Sequence, residues 1–305
     1  MTQNRASTTR ERASSKTPKR ATPTVMRRRV GAQIRRWREP MRSGEAAKLM
    51  PGWDTTKLSR IERGLYRISG DEVRDLCAKL GVDDAEGINE VAKVAEEPAG
   101  GDHGWWKAYE SRVSQPLVDF VQLEARARKI STHHPVVVPG LLQTPGYVRE
   151  IIGGMPVSVS PERAEMLVSI RLSRQEVLTR KDNPVQLHAL VPESAFHAHF
   201  EAGPGIMRDQ LRKLIDASNQ PNVDLQVIPL NAHPAYGSNG ATTTLNFGHP
   251  WVPVVSVDNP MGGTHSEDPE EIAYMENVFA LAAAIALPVD ESRDLITTYL
   301  EGQSK

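Results

Sequence analysis

Thr55, Thr56, Lys57, Ser59 and Arg60 fall close together in the chain and offer hydroxyls, an ammonium and a guanidinium. Side chains of these types can read the edges of base pairs. Lys57 and Arg60 can donate to guanine O6 and N7, while the threonines can bond bases or phosphates and touch a thymine methyl. Arg27, Arg28, Arg29, Arg36 and Arg67 suit phosphate oxygens instead, which supply affinity but no sequence information. For the first group to enter a groove together, it must project from one side of a helix whose other side is anchored. Leu58 and Ile61, three residues apart, supply that anchor.

The surrounding chain punctuates itself into short helices. Val30, Ile34 and Trp37 recur at helical spacing from Val25 onward, and Pro40 ends that helix. Ser43 is a suitable N-cap for a second helix, Gly44 to Met50, and Pro51-Gly52 marks a turn. Asp54 caps a third, Thr55 to Arg63, which stops at Gly64. Ser69 with Glu72 three residues later is a capping box for a fourth helix carrying Val73, Leu76, Cys77 and Leu80, which stops at Gly81. A fifth, Ala85 to Glu97, runs into a linker-like stretch over 98–104. The expected organisation is a basic disordered arm over 1–24, an all-α helix-turn-helix domain over 25–97, the linker, and a second domain over 105–301.

Charge supports a polyanion-binding head. Residues 1–70 carry 18 Lys and Arg against 5 Asp and Glu, whereas residues 71–305 carry 19 against 33. A net charge of −1 conceals that polarity. Cys77 is the only cysteine, so an intramolecular disulfide is excluded, and a reducing cytoplasm, with association to the nucleoid, is the expected setting. Val278 to Leu287 is too short to span a bilayer, and the N-terminus lacks the apolar stretch of a signal peptide, so neither a membrane nor export is expected.

Lys57-Leu-Ser-Arg-Ile-Glu-Arg-Gly64, set behind Ser43 to Trp53, resembles the recognition helix of the λ-repressor-like helix-turn-helix family. The turn Pro51-Gly52-Trp53 is one residue longer than is usual there, with a shortening near Pro40-Met41. The resemblance implies that Glu62 is structural and pairs with an arginine of the first helix, Arg35 or Arg38.

Beyond the linker, Leu117 to Ile130, Glu162 to Thr179, Ile206 to Ser218, Pro269 to Leu287 and Val289 to Leu300 read as helices. Val185 to Val191, Val223 to Pro229, Thr242 to Phe247 and Val252 to Val257 read as strands, the last two forming a hairpin through Gly248-His249-Pro250-Trp251. The expected class is an α+β, mixed regulatory domain. Trp105-Trp106, Glu124-Ala125, Val138-Pro-Gly-Leu-Leu-Gln-Thr144 with Tyr147, Arg171-Leu-Ser-Arg-Gln175 and Val227-Ile-Pro229 resemble the uncharacterised domain that follows this helix-turn-helix in many actinobacterial regulators. That resemblance implies a transcription factor whose large domain senses a protein or ligand, often a small protein encoded by the adjacent gene. An antitoxin-like module that neutralises such a partner, with autoregulatory DNA binding, is the alternative.

Enzymatic readings are weaker. Glu193 and His197 stand one turn apart if helical and could share a metal, but no third ligand is evident, and His133-His134 is no better. Ser194 lies in no nucleophile elbow, and phosphate-binding and dinucleotide fingerprints are missing. The expectation is a non-enzymatic homodimer on double-stranded DNA, with no cofactor and no metal. Arg171, Arg174 and Gln175 could share a helix face toward a carboxylate such as Glu124, as a structural ion pair.

Overall fold

The computed structural model describes residues 24–97, 104–154, 160–233, 236, 240–258 and 263–302. Five helices form the N-terminal part: α1 (Val25–Arg38), α2 (Ser43–Lys48), α3 (Thr55–Glu62), α4 (Gly70–Leu80) and α5 (Ala85–Glu96). Their starts are set by side-chain caps. Thr24 Oγ1 accepts from the Arg27 amide, Asp54 Oδ1 from Lys57 and Asp84 Oδ1 from Gly87, while Ser69 and Glu72 satisfy each other's amides reciprocally. Thr24 therefore belongs to the folded part and not to the arm, whose residues 1–23 lie outside the described residues, as do 98–103 of the linker. Ser43 is the first residue of α2, with Arg42 preceding it in extended conformation, so the expected serine cap is displaced by one position.

Val30, Ile34, Ala46, Ala47, Leu58, Ile61, Val73, Leu76, Cys77 and Val91 close a core of their own among these helices. Two glycines set how tightly α1 and α3 cross. A Cβ on Gly31 would lie 2.3 Å from the Ile61 carbonyl oxygen, so only hydrogen fits between the backbones. Gly64, at φ +70°, ends α3 in the left-handed region, and its own Cβ would meet the Arg28 amide nitrogen at 2.8 Å. The crossing is bolted by Arg38 Nε, 2.5 Å from Glu62 Oε1, with Nη2 3.3 Å from Oε2, each side chain only 8% exposed. Of the two arginines available to Glu62, Arg38 is therefore the partner, and Arg35 reaches Glu39 instead.

The remainder is a six-stranded mixed sheet with helices on both faces. Its elements are α6 (Gln115–Glu124), β1 (Lys129–His133), α7 (Pro145–Gly153), α8 (Pro161–Ser173), β2 (Gln186–Pro192), α9 (Gly205–Ser218), β3 (Val223–Ile228), β4 (Thr242–Asn246), β5 (Val254–Val257), β6 (Thr264–Ser266), α10 (Pro269–Ile285) and α11 (Val289–Gly302). The strand order is β3-β2-β1-β4-β5-β6, with the first three parallel and each later neighbour antiparallel. Alternation along β2 sends Leu187, Ala189 and Val191 into the main core with Leu211 and Leu214 of α9, and Leu190 to the opposite face beneath Ala282 of α10. The outer edge of β3 is closed by the α10–α11 connection: the Leu287 amide donates to the Val227 carbonyl, and Ser292 Oγ accepts from the Val227 amide.

Two expectations fail here. The helix expected to reach Ile130 stops at Glu124, because Lys129 to His133 pair with both β2 and β4 as a central strand. The helix expected through Thr179 changes to a 3₁₀ turn over Arg174–Leu178. The four anticipated strands are present within one or two residues, and the hairpin through 248–251 joins β4 to β5. Among the described residues, no single helix is long and apolar enough to cross a membrane.

Candidate nucleic-acid interface and the clamp behind it

The polar side of α3 is open to solvent at its start. Thr55 and Thr56 are exposed in its first turn, and Leu58 and Ile61 point into the core. Lys57 is half-buried, its ammonium 4.3 Å over the Trp53 ring and 3.1 Å from Glu72 Oε1. Arg60 lies over the Tyr66 ring and donates to its hydroxyl at 2.5 Å. Ser59 is half-buried beside them, its carbonyl accepting from Arg63 Nε. Of the five residues picked from sequence, two are exposed and three half-buried, with Lys57 and Arg60 pre-ordered on aromatic rings. Such stacking lowers the rotamer entropy each long side chain has left to lose on contact with a ligand.

The five arginines expected at phosphates divide. Arg27 and Arg67 line one small cavity and repel each other; burial first, and then Arg67, push the Arg27 guanidinium below its usual range. No carboxylate among the described residues forms an ion pair with either. Arg126 and Glu97, paired with each other, line the same cavity, so its charge is net positive by the two arginines. The other three are held from behind by the larger domain. Arg28 donates to Asp119 of α6, and Arg36 Nη2 lies 3.3 Å from Glu267. Arg29 is 2% exposed: its guanidinium sits 4.0 Å over the Phe247 ring, donates to the Val252 carbonyl at 2.6 Å and lies 3.0 Å from Glu267 Oε1. Burial pulls its pKa down to about 10 against the opposing pull of Glu267. Arg29 is therefore a structural residue, and its expected phosphate role is withdrawn. Arg28 and Arg36 retain exposure but would have to exchange a carboxylate for a phosphate.

The clamp has further members that no local pattern announces. His249 Nε2 meets Asp84 Oδ1 at 2.8 Å and holds that carboxyl below its usual range, Trp251 Nε1 reaches Glu90 Oε1 at 3.4 Å, and Arg126 pairs with Glu97. Val25 packs in the main core of the larger domain, while Val30 and Ile34 pack in the smaller one. Helix α1 is thus common to both.

A family described as a domain of unknown function, DUF5753, matches residues 117–298. The chain belongs to the DUF5753 family. The DUF5753 match opens within α6 and closes within α11, so it takes in the whole sheet and Asp119, Phe247, Trp251 and Glu267 of the clamp, and leaves α1 to α5 outside. No curated protein and no solved structure matches this DUF5753 chain.

Glu193 and His197, considered together for a metal, both contact Tyr299. Tyr299 donates to Glu193 Oε1 at 2.7 Å and its hydroxyl lies 3.0 Å from His197 Nε2, so a phenol bridges Glu193 and His197. His199 lines a shallow recess that it shares with His197, Phe200, Met207 and Tyr299. Among the described residues, no three His, Cys, Asp or Glu side chains converge as metal ligands. Arg174, of the three residues expected near Glu124, makes the bidentate pair at 2.7 and 2.9 Å.

Proposed function

We propose that this chain is a sequence-specific DNA-binding transcriptional regulator of the λ-repressor-like helix-turn-helix type, with the DUF5753 domain as its sensing partner. The observation that carries the reading is the surface of α3, where Thr55, Thr56, Lys57, Ser59 and Arg60 stand clear of a Leu58/Ile61 anchor behind a short preceding helix. A helix so mounted fits the major groove, with its N-terminal residues at base edges. Arg27 and Arg67, which form no ion pair among the described residues, supply phosphate contacts alongside. Because Gly31 and Gly64 seat α1 against α3 backbone to backbone, a domain that grips α1 also governs how α3 is presented. The proposal includes a homodimer on a two-fold operator, since one short recognition helix makes few contacts and symmetry doubles them.

Selection of bound fragments from random double-stranded DNA, followed by footprinting, tests this. Arg60→Ala is expected to cost about 1–3 kcal/mol at the selected site and to relax preference at one position. Arg67→Ala is expected to weaken all sequences alike and to lower the salt slope by about 1. Failure to enrich any sequence, or identical behaviour of the two variants, removes the reading.

A further inference from the structure

A cleft of about 270 Å³ opens at the carboxyl end of β1, walled by Phe120 and Glu124 of α6 and floored by Thr132 and Thr243 of the sheet. Its place is notable on topological grounds. The chain builds outward from β1 through β2 to β3 and then returns to lay β4 on the other side of β1, and crevices beyond strand carboxyl ends where the strand order reverses are where open α/β sheets hold ligands. The volume lies just under the range of about 300–1,000 Å³ typical of drug-sized ligands.

The groups lining it are more polar than packing requires. Arg174 is fully used, paired to Glu124 and stacked 4.9 Å over Phe120. Arg171, one turn earlier, is not: its hydrogen bond is a single 3.3 Å contact from Nη1 to Gln143 Oε1, and no carboxylate among the described residues comes within ion-pair distance, though Asp258 and Glu124 attract it from farther off. Burial lowers its pKa to about 10, which leaves it a cation at neutral pH. His134 faces the same space; burial lowers its pKa, Asp258 opposes that shift and Arg171 adds to it. Its Nδ1 accepts from the Val136 and Val137 amides, each at 3.1 Å, so in the neutral ring the proton sits on Nε2, a donor with no hydrogen-bond acceptor among the described residues. Thr132 and Thr243 hydroxyls meet at 2.9 Å on the floor, and Asp258 stands exposed at the rim.

We propose that this cleft binds a small monocarboxylate, with the Arg171 guanidinium as its anchor and His134 Nε2–H as a second donor. A planar carboxylate matches the guanidinium fork in two parallel bonds. Arg171, without an ion-pair partner among the described residues, suits one negative charge, and the Asp258 carboxylate at the mouth, which already attracts it, opposes a dianion such as phosphate. Binding stands whether or not α3 reads DNA; a role as effector rests on the regulatory reading and on α6, which carries both the wall residue Phe120 and the clamp residue Asp119.

Titration calorimetry on the full chain with sodium lactate, benzoate, succinate and phosphate, at ionic strength held constant with sodium chloride, tests the site. Saturable binding of a monocarboxylate is expected, weaker by about tenfold or more in Arg171→Met, the worth of one charge-assisted bond. Asp258→Asn, an exposed change that leaves the core alone, is expected to tighten the same acid about threefold by removing a like charge. Should Arg171→Met not fold, the sign of the Asp258→Asn effect still decides. The proposal is overturned if none of the monocarboxylates binds, if phosphate alone binds, or if Asp258→Asn leaves affinity unchanged.

Discussion

Replacing Glu62 by Ala is the sharpest test of how the small domain is held. Arg38 and Glu62 are each 8% exposed, and Arg38 also donates to the Met41 carbonyl, so the guanidinium is fixed in place when its carboxylate is removed. Stripping one partner from a buried pair costs about 3–5 kcal/mol, chiefly from the charge left unpaired. A helical unit of this size has only about 4–11 kcal/mol in all, at roughly 0.05–0.15 kcal/mol per residue. Glu62→Ala is therefore expected to remove about a quarter or more of its stability and to raise amide exchange across α1 and α3. Urea unfolding followed by hydrogen exchange would measure it, since exchange separates the small domain from the sheet. The double variant Arg38→Met/Glu62→Leu, which removes both charges and keeps volume, is expected to recover most of the loss. If Glu62→Ala costs under about 1 kcal/mol, or the double variant is worse than the single, the pair is not the bolt described.

Gly31→Ala is expected to force α1 and α3 apart, since the added methyl carbon would lie 2.3 Å from a carbonyl oxygen; a lowered midpoint of thermal unfolding, by several degrees, would register it. Glu267→Gln leaves Arg29 buried without its carboxylate and frees Arg36, so exchange in α1 should quicken while DNA affinity becomes more salt-dependent, with a slope steeper by about 1. His133 is 4% exposed, and burial lowers its pKa to about 4, against about 6.5 for an open imidazole. The unfolded chain thus takes up a proton that the folded chain refuses, and stability present above about pH 6.5 should fall as the pH drops toward 4, by about 2–3 kcal/mol from this group. A flat acid limb in denaturant titrations of wild type against His133→Phe would contradict that.

What could be read along the chain was what neighbours decide. Asp54, Ser69 with Glu72, Gly64 and Gly81 each act on amides or dihedrals within a few residues, and the helices start and stop where they direct. The expected strands were legible because their β-branched runs stand between turn residues. β1 was not, since Ile130 follows a helical run directly and the strand exists by pairing with residues 186–190 and 242–246. The surface of α3 was legible from amphipathic spacing, whereas the fate of the α1 arginines was not. A positive charge has the same sign beside a phosphate as beside Glu267, and nothing local says that Arg29 meets Phe247 more than two hundred residues on.

The shared helix has a mechanical corollary. Fourteen residues make α1 a rod of about 21 Å, rooted at Val25 in one core and built into another from Val30 onward. Were that root to tip by about 10°, the distal end would swing by about 4 Å, close to the roughly 3.4 Å rise between successive base pairs. A shift too small to disturb the sheet could thus move a reading head out of register by one rung.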